Sequence, residues 1–135
     1  MSRTFDVAVV GATGAVGEVM LEILAERKFP VGEVYPLASE RSAGKKVRFG
    51  NRQLTVQNLA EFDFSLFSAG ASISKVYAPK AAQAGCVVVD NTSCFRYDDE
   101  IPLVVPEVNA EKIADYKRHG IIANPNCSTI QMLVA

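Results

Sequence analysis

Short valine-rich runs alternate along this chain with stretches whose apolar residues recur at helical spacing. Residues 5–10, FDVAVV, form an apolar run of strand length; glycines follow, and then Val16, Val19, Met20, Ile23 and Leu24 repeat at the three-to-four interval of a helix. That pattern predicts strand, turn, helix. EVYPLAS (33–39) predicts a second strand, KKVRFGNRQLTVQ (45–57) a hairpin turning at Gly50-Asn51, and FDFSLFSAG (62–70) another strand ending in small residues. ISKVYAPKAAQAG (73–85) has the composition of a helix closed by Gly85 and started or kinked by Pro79. CVVVDNTS (86–93) predicts a strand with Cys86 in its buried run, and NAEKIADYKR (109–118) a helix with Asn109 as N-cap. GIIANPN (120–126) predicts a last strand, and CSTIQMLVA (127–135) opens another helix.

This alternation implies an α/β fold: a mainly parallel sheet covered by helices, with ligands bound by the loops at the carboxyl ends of its strands. With 135 residues, 49% of them hydrophobic, the expectation is one domain over residues 1–135. The sequence ends inside an apolar helical pattern, which reads as a truncated boundary. Fourteen basic against fifteen acidic residues give a net charge of −1 and no electrostatic reason to expect nucleic acid or an anionic membrane as partner. Apolar stretches fall short of the roughly 20 residues of a bilayer span, and MSRTFDVAVVG runs into a strand without a signal-peptide pattern, so a cytoplasmic location is expected.

Gly11, Gly14 and Gly17 in GATGAVG lie between the first strand and the first helix, where a dinucleotide pyrophosphate meets backbone N–H groups and the positive end of a helix. The spacing is GxxGxxG rather than GxGxxG. After the second strand, Ser39, Arg41 and Ser42 offer hydroxyls and a guanidinium that suit a 2′-phosphate, with Lys45 or Lys46 nearby. NADP is therefore favoured over NAD, although Glu40 offers a ribose hydroxyl an acceptor instead.

Cys86, Cys94 and Cys127 have neither the paired spacing of a zinc site nor the even count of a disulfide framework. Cys94 is ambiguous. Cys127, in NPNCST, falls in the first turn of the last helix, a place that favours thiolate over thiol and whose N–H groups can receive an oxyanion. A thiol beside a nicotinamide site points to attack on an acyl group or aldehyde, through a thioester and a thiohemiacetal. A general base is missing: the one histidine, His119, ends a helix, where capping carbonyls or facing solvent is its ordinary role.

The segments GATGAVG, LASERSAGK, FSAGASISK, DNTSCFRYDDEIPLVVPEVN and NPNCSTIQM, in that order and over the whole chain, closely resemble the aspartate-β-semialdehyde dehydrogenase family. The resemblance implies a Rossmann-type dinucleotide-binding domain, the N-terminal half of an enzyme whose catalytic and dimerisation domain lies beyond residue 135. It also implies NADP-dependent interconversion of aspartate semialdehyde plus phosphate with aspartyl phosphate, on the route to lysine, methionine and threonine. Cys127 matches the family nucleophile, Arg96 the arginine that holds the substrate phosphate, and Asn126 a residue that helps position the acyl group. Gly11, Thr13, Gly14, Ala15, Val16 and Gly17 match the pyrophosphate loop, Ser39, Arg41 and Ser42 the adenosine-phosphate contacts, and Ser68, Ala69 and Gly70 the nicotinamide side. The family's acid–base histidine, substrate-orienting glutamine and carboxylate-binding arginine lie downstream, so the chain alone is expected to be nearly inactive. Full members form dimers or tetramers.

Three other readings stand beside this one. N-acylglutamyl-phosphate reductases share the thioester logic but place glycine beside the nucleophile, as in PGCY, where this chain has PNCS. The chain is otherwise a cofactor-binding module without enzymology. A short-chain reductase needs Tyr-x-x-x-Lys, and no lysine stands four residues after Tyr35, Tyr77, Tyr97 or Tyr116. For Arg96 the alternative role is a surface ion pair with Asp98 or Asp99.

Overall fold

The computed structural model describes residues 3–59, 66–67 and 70–135. Two compact units divide the chain, Met1–Ala69 and Gly70–Ala135.

The first unit is built on β1 (Phe5–Val10), whose valines leave no polar side chain to place among its four buried residues, Val7 to Val10. Parallel partners lie on both sides: β2 (Val31–Ala38), with Val7 opposite Val34 and Val10 opposite Leu37, and β6 (Leu66–Phe67), with Val9 opposite Leu66. β5 (Gln57–Asn58) extends the sheet beyond β2. The predicted strand over 62–70 is described only as β6; its remaining residues up to 69 lie outside the described residues.

The hairpin forms as predicted, β3 (Lys46–Phe49) against β4 (Arg52–Thr55), with Phe49 opposite Arg52. Gly50 takes φ 57° while Asn51 keeps a negative φ, the two-residue turn whose first position favours glycine.

Helix α1 (Ala15–Glu26) returns along the sheet and buries Gly17 and Leu21, with Met20 and Leu24 partly buried against Val7, Val9, Val34 and Val47. The apolar stripe predicted here is only half right. Val16, Val19 and Ile23 are 46%, 50% and 43% exposed, whereas Leu21 is fully buried. Apolar side chains occupy about 200° of the helix at 100° per residue, and a sheet covers only about half of that arc. Gly17 selects which half, because a Cβ there would stand 2.2 Å from the Gly11 carbonyl oxygen.

In the second unit, α2 (Ala71–Gln83) already runs for two turns before Pro79, so the proline does not start it. Its C-terminus closes with the Cys86 N–H donating to the Ala81 carbonyl and the Gly85 N–H to that of Ala82, a Schellman turn. Cys86 therefore belongs to that turn, half-buried, and not to the strand predicted for it; β7 begins at Val88 and runs to Asp90. It pairs in parallel with β8 (Ile121–Ala123), Asp90 opposite Ala123. The stretch 102–104 lies along the other side of β8, the Ala123 N–H donating to the Pro102 carbonyl and the Val104 N–H to that of Ala123.

The helix predicted over 109–118 starts earlier and is tighter. Pro106, with its φ preset for a first turn, opens α3 (Pro106–Asn109), and a 3₁₀ helix, Ala110–Arg118, follows. Asn109 is no side-chain cap. Its amide oxygen accepts from the Val105 N–H at 2.8 Å and its NH₂ donates to the Leu103 carbonyl at 3.0 Å, so it staples the preceding segment. Helix α4 (Cys127–Val134) forms as predicted.

The burial pattern of α1 sets a test. Leu21→Ala should cost about 2–5 kcal/mol in urea unfolding, and Val19→Ala should stay within about 0.5 kcal/mol. Equal losses would place the wrong face on the sheet.

Candidate active site

In the first unit, the ends of β1 and β2 stand side by side, and the chain leaves each at the same edge of the sheet. The Gly11 and Ala12 N–H groups both donate to the Leu37 carbonyl, at 2.8 and 3.1 Å, which ties the glycine turn to the last turn of β2. Gly14 is the N-cap of α1 and has no side chain to satisfy the first helical N–H groups. Gly14, Ala15 and Val16 are exposed, while Gly17 is buried in contact with the turn. A helix leaves its first-turn N–H groups without intrahelical partners, so this turn could hold a pyrophosphate at Gly14, where no side chain stands, while Gly17 lets α1 close on the Gly11 carbonyl. Thr13 is half-buried in the same turn.

Ser39, Glu40, Arg41 and Ser42 follow β2 at that edge. Ser39 precedes a single 3₁₀ turn, Glu40–Ser42, and its carbonyl accepts from the Ser42 N–H at 2.8 Å. The Lys45 ammonium donates to the Ser42 hydroxyl at 3.5 Å, and Arg41 is exposed. The unit thus places the predicted phosphate loop and the predicted adenosine contacts together. Ser68 and Ala69 lie outside the described residues. Gly70 is the N-cap of α2 in the second unit, at φ 100°.

In the second unit, β7 and β8 end side by side, and the chemistry-bearing residues come directly after them. Cys127 is the first residue of α4 and is exposed. Asn126 is the N-cap: its side-chain oxygen accepts from the Thr129 N–H at 2.8 Å. The Asn126 carbonyl takes the Ile130 N–H, so the first-turn donors left for a ligand belong to Cys127 and Ser128.

Arg96 does not pair with Asp98 or Asp99 among the described residues. Its Nε donates to the Asn124 carbonyl at 2.9 Å and its Nη2 to the Asn91 carbonyl at 2.9 Å, bridging the ends of β8 and β7. Among the described residues two of its five N–H groups are engaged, and the other three can serve an anion. The Asn124 side-chain NH₂ donates to the Asn91 side-chain oxygen at 2.7 Å, closing the same corner. Asn91 and Asn124 were not singled out from the sequence. Their signal is positional: each is the first residue after a strand that ends at the ligand edge.

Behind this corner lies a buried acid that the sequence also left unremarked. Asp90 is fully buried and its carboxylate accepts from the Ser74 hydroxyl, the Thr92 N–H and the Thr92 hydroxyl at 2.9, 3.0 and 2.9 Å. Cys94 lies beside it. Burial, and secondarily the negative charge of Asp90, push the Cys94 thiol up, with Lys75 opposing. That separates the two thiols: Cys94 is a protonated, half-buried neighbour, and Cys127 stands open on a helix terminus. His119 takes no part; it is exposed, its Nε2 3.2 Å from the Glu100 carboxylate.

A parallel sheet whose first strand turns through glycines into a helix defines a dinucleotide-binding domain of the Rossmann type. The semialdehyde dehydrogenase NAD-binding domain family matches residues 6–116. An aspartate-semialdehyde dehydrogenase of Legionella pneumophila is 64% identical over 140 aligned positions, taking in 100% of this chain and 40% of that protein. Among solved structures, aspartate semialdehyde dehydrogenase II from Vibrio cholerae complexed with ASA superposes with a TM-score of 0.93 at 62% identity, over 97% of this chain and 44% of that one. Aspartate semialdehyde dehydrogenase with NADP from Candida albicans gives a TM-score of 0.80 at 26% identity, over 98% and 45%. The chain belongs to the semialdehyde dehydrogenase family and carries its NAD-binding domain. It spans about 40% of the length of the curated relatives it matches.

The Cys94 thiol is expected to label unlike an unstructured one. The raised Cys94 group stays protonated to higher pH than an ordinary cysteine, so its iodoacetamide rate should keep climbing where a free thiol levels off. Asp90→Asn should shift that profile to lower pH. Peptide-resolved mass spectrometry across pH checks both; a Cys94 profile matching an unstructured peptide would contradict them.

Proposed function

We propose that this chain is the NADP-binding part of an aspartate-semialdehyde dehydrogenase, with Cys127 as its acyl acceptor and Arg96 as its phosphate ligand. The observation that carries the reading is the second-unit corner, where an exposed thiol at the start of α4 comes closely after the Asn124 carbonyl that anchors Arg96.

The reaction is set by the chemistry of those groups. The Cys127 thiolate attacks the acyl carbonyl of aspartyl phosphate; a C–S bond forms, the C–O bond to phosphate breaks, and phosphate leaves with its charge held by Arg96. Charge that builds on the carbonyl oxygen is received by the Cys127 and Ser128 N–H groups. Asn126, with its oxygen committed to the Thr129 N–H, offers its NH₂ to the acyl group. The nicotinamide, when bound, supplies hydride to the thioester in this direction and accepts it in the reverse. In the first unit Gly11, Thr13, Gly14, Ala15, Val16 and Gly17 hold the pyrophosphate. Ser39, Arg41 and Ser42, with Lys45 behind Ser42, hold a 2′-phosphate, which selects NADP over NAD. Ser68, Ala69 and Gly70 serve the nicotinamide side.

Proton transfer to and from the thiol falls to a histidine in the remainder of the protein, along with the groups that orient the substrate and bind its carboxylate. Without them the chain is nearly inactive, since a positioned acid–base group contributes about 10²–10⁴-fold. The whole protein acts in the cytoplasm as a homo-oligomer on the route to lysine, methionine and threonine.

The test joins this chain to the remainder of the Vibrio cholerae relative. The chimera should reduce NADP with aspartate semialdehyde and phosphate, and not with N-acetylglutamate semialdehyde. Arg41→Ala should weaken NADPH binding much more than NADH binding. Turnover of the N-acetylated substrate would favour the acylglutamyl-phosphate reductase alternative, and equal effects of Arg41→Ala on both cofactors would remove the 2′-phosphate assignment.

A further inference from the structure

A buried carboxylate needs donors to replace its lost hydration. Asp90 has three. Ser74, itself fully buried on α2, donates its one hydroxyl proton to Asp90, and the hydroxyl of Thr92, 9% exposed, is within donating distance of both the carboxylate and the Ser74 oxygen. The two hydroxyl oxygens stand 3.1 Å apart, and the Thr92 oxygen accepts from the Cys94 N–H at 3.2 Å. The main chain of Asp90 joins in, its carbonyl accepting from the Asn124 N–H at 2.8 Å.

Each of these bonds holds part of the frame on which Arg96 rests. Arg96 hangs from the carbonyls of Asn91 and Asn124. Asn91 lies between Asp90 and Thr92, both fixed by the carboxylate, and Asn124 is tied to the Asp90 main chain. The loop 91–96 is thus pinned at Thr92 and Cys94 before it reaches the arginine. Nothing in acyl transfer requires a carboxylate at this depth, and Asp90 has no access to a substrate.

We propose that Asp90 is a positioning residue for anion binding: its buried carboxylate, through Ser74 and Thr92, fixes the loop whose carbonyls aim the Arg96 guanidinium at phosphate. This rests on Arg96 as the phosphate ligand. A preset guanidinium loses less freedom when the anion arrives, so the benefit appears in affinity for phosphate and not merely in fold stability.

Inorganic phosphate titrated into the ¹⁵N-labelled chain tests it, read at the Arg96 Nε–H resonance, which is assigned by its loss in Arg96→Lys. The wild-type resonance should shift saturably. Asp90→Asn, titrated well below its unfolding temperature, should bind phosphate about tenfold more weakly, the lower end of what outer-shell partners of bound ions cost. Ser74→Ala should bind about threefold more weakly. If Asp90→Asn loses its dispersed spectrum, Ser74→Ala decides alone. A saturable wild-type shift with unchanged affinity in the folded variants would overturn the positioning role and leave Arg96 as phosphate ligand. No shift at Arg96 in the wild type would remove that ligand assignment, and this proposal with it.

Discussion

A carboxylate withdrawn entirely from water, that of Asp90, gathers the polar groups at the end of β7. It draws a serine from α2 and both the hydroxyl and the N–H of Thr92 onto itself, because an unpaired buried charge would cost more than the unit can tolerate. The consequences are geometric. With Thr92 held, Asn91 presents its carbonyl outward, Arg96 spans from there to Asn124, and the chain turns through buried Pro125 into the cap that starts α4.

The first unit obeys a different constraint, steric where the second is electrostatic. β1 and α1 are drawn together until the Gly11 carbonyl and residue 17 leave no room for a side chain. The close approach brings the amino end of α1 to the same edge as the loop after β2. A positive helix end and a guanidinium-bearing loop then share one rim, an arrangement suited to a ligand with phosphates at both places. The first unit thus gathers the glycine turn and the loop after β2 at one edge, and the second gathers an exposed thiol and a guanidinium at the ends of β7 and β8.

Legibility in the sequence tracks the range of the forces involved. β1, the Gly50-Asn51 hairpin, the Gly85 stop and the start of α4 at Cys127 depend on neighbours within a turn or two, and each was legible. Leu21 was not, because α1 carries apolar residues around more than half its circumference and the buried half is set by the close approach of Gly17 to the Gly11 carbonyl. Asn109 misled for a local reason: Pro106 had already begun the helix, which freed the asparagine to bond Val105 and Leu103. Asp90 was hidden by distance. Its Asx contact to Thr92 is a two-residue motif, but its burial depends on Ser74, sixteen positions earlier on another element. The Arg96 bridge was likewise out of reach, since the competing acids Asp98 and Asp99 lie close in sequence while its partners are main-chain carbonyls, those of Asn91 and of Asn124, the latter 28 residues away.

All of the chemistry proposed for this chain turns on the thiol that opens α4 receiving the acyl group. The direct measurement is to incubate the chain, joined to the remainder of the Vibrio cholerae relative, with aspartate semialdehyde and NADP in the absence of phosphate. The reaction is then quenched in acid and the cysteine peptides are weighed. An aspartyl thioester is expected on the peptide containing Cys127 and none on those containing Cys86 or Cys94. Turnover on adding phosphate with no adduct at Cys127, or an adduct at Cys94 instead, would contradict the assignment.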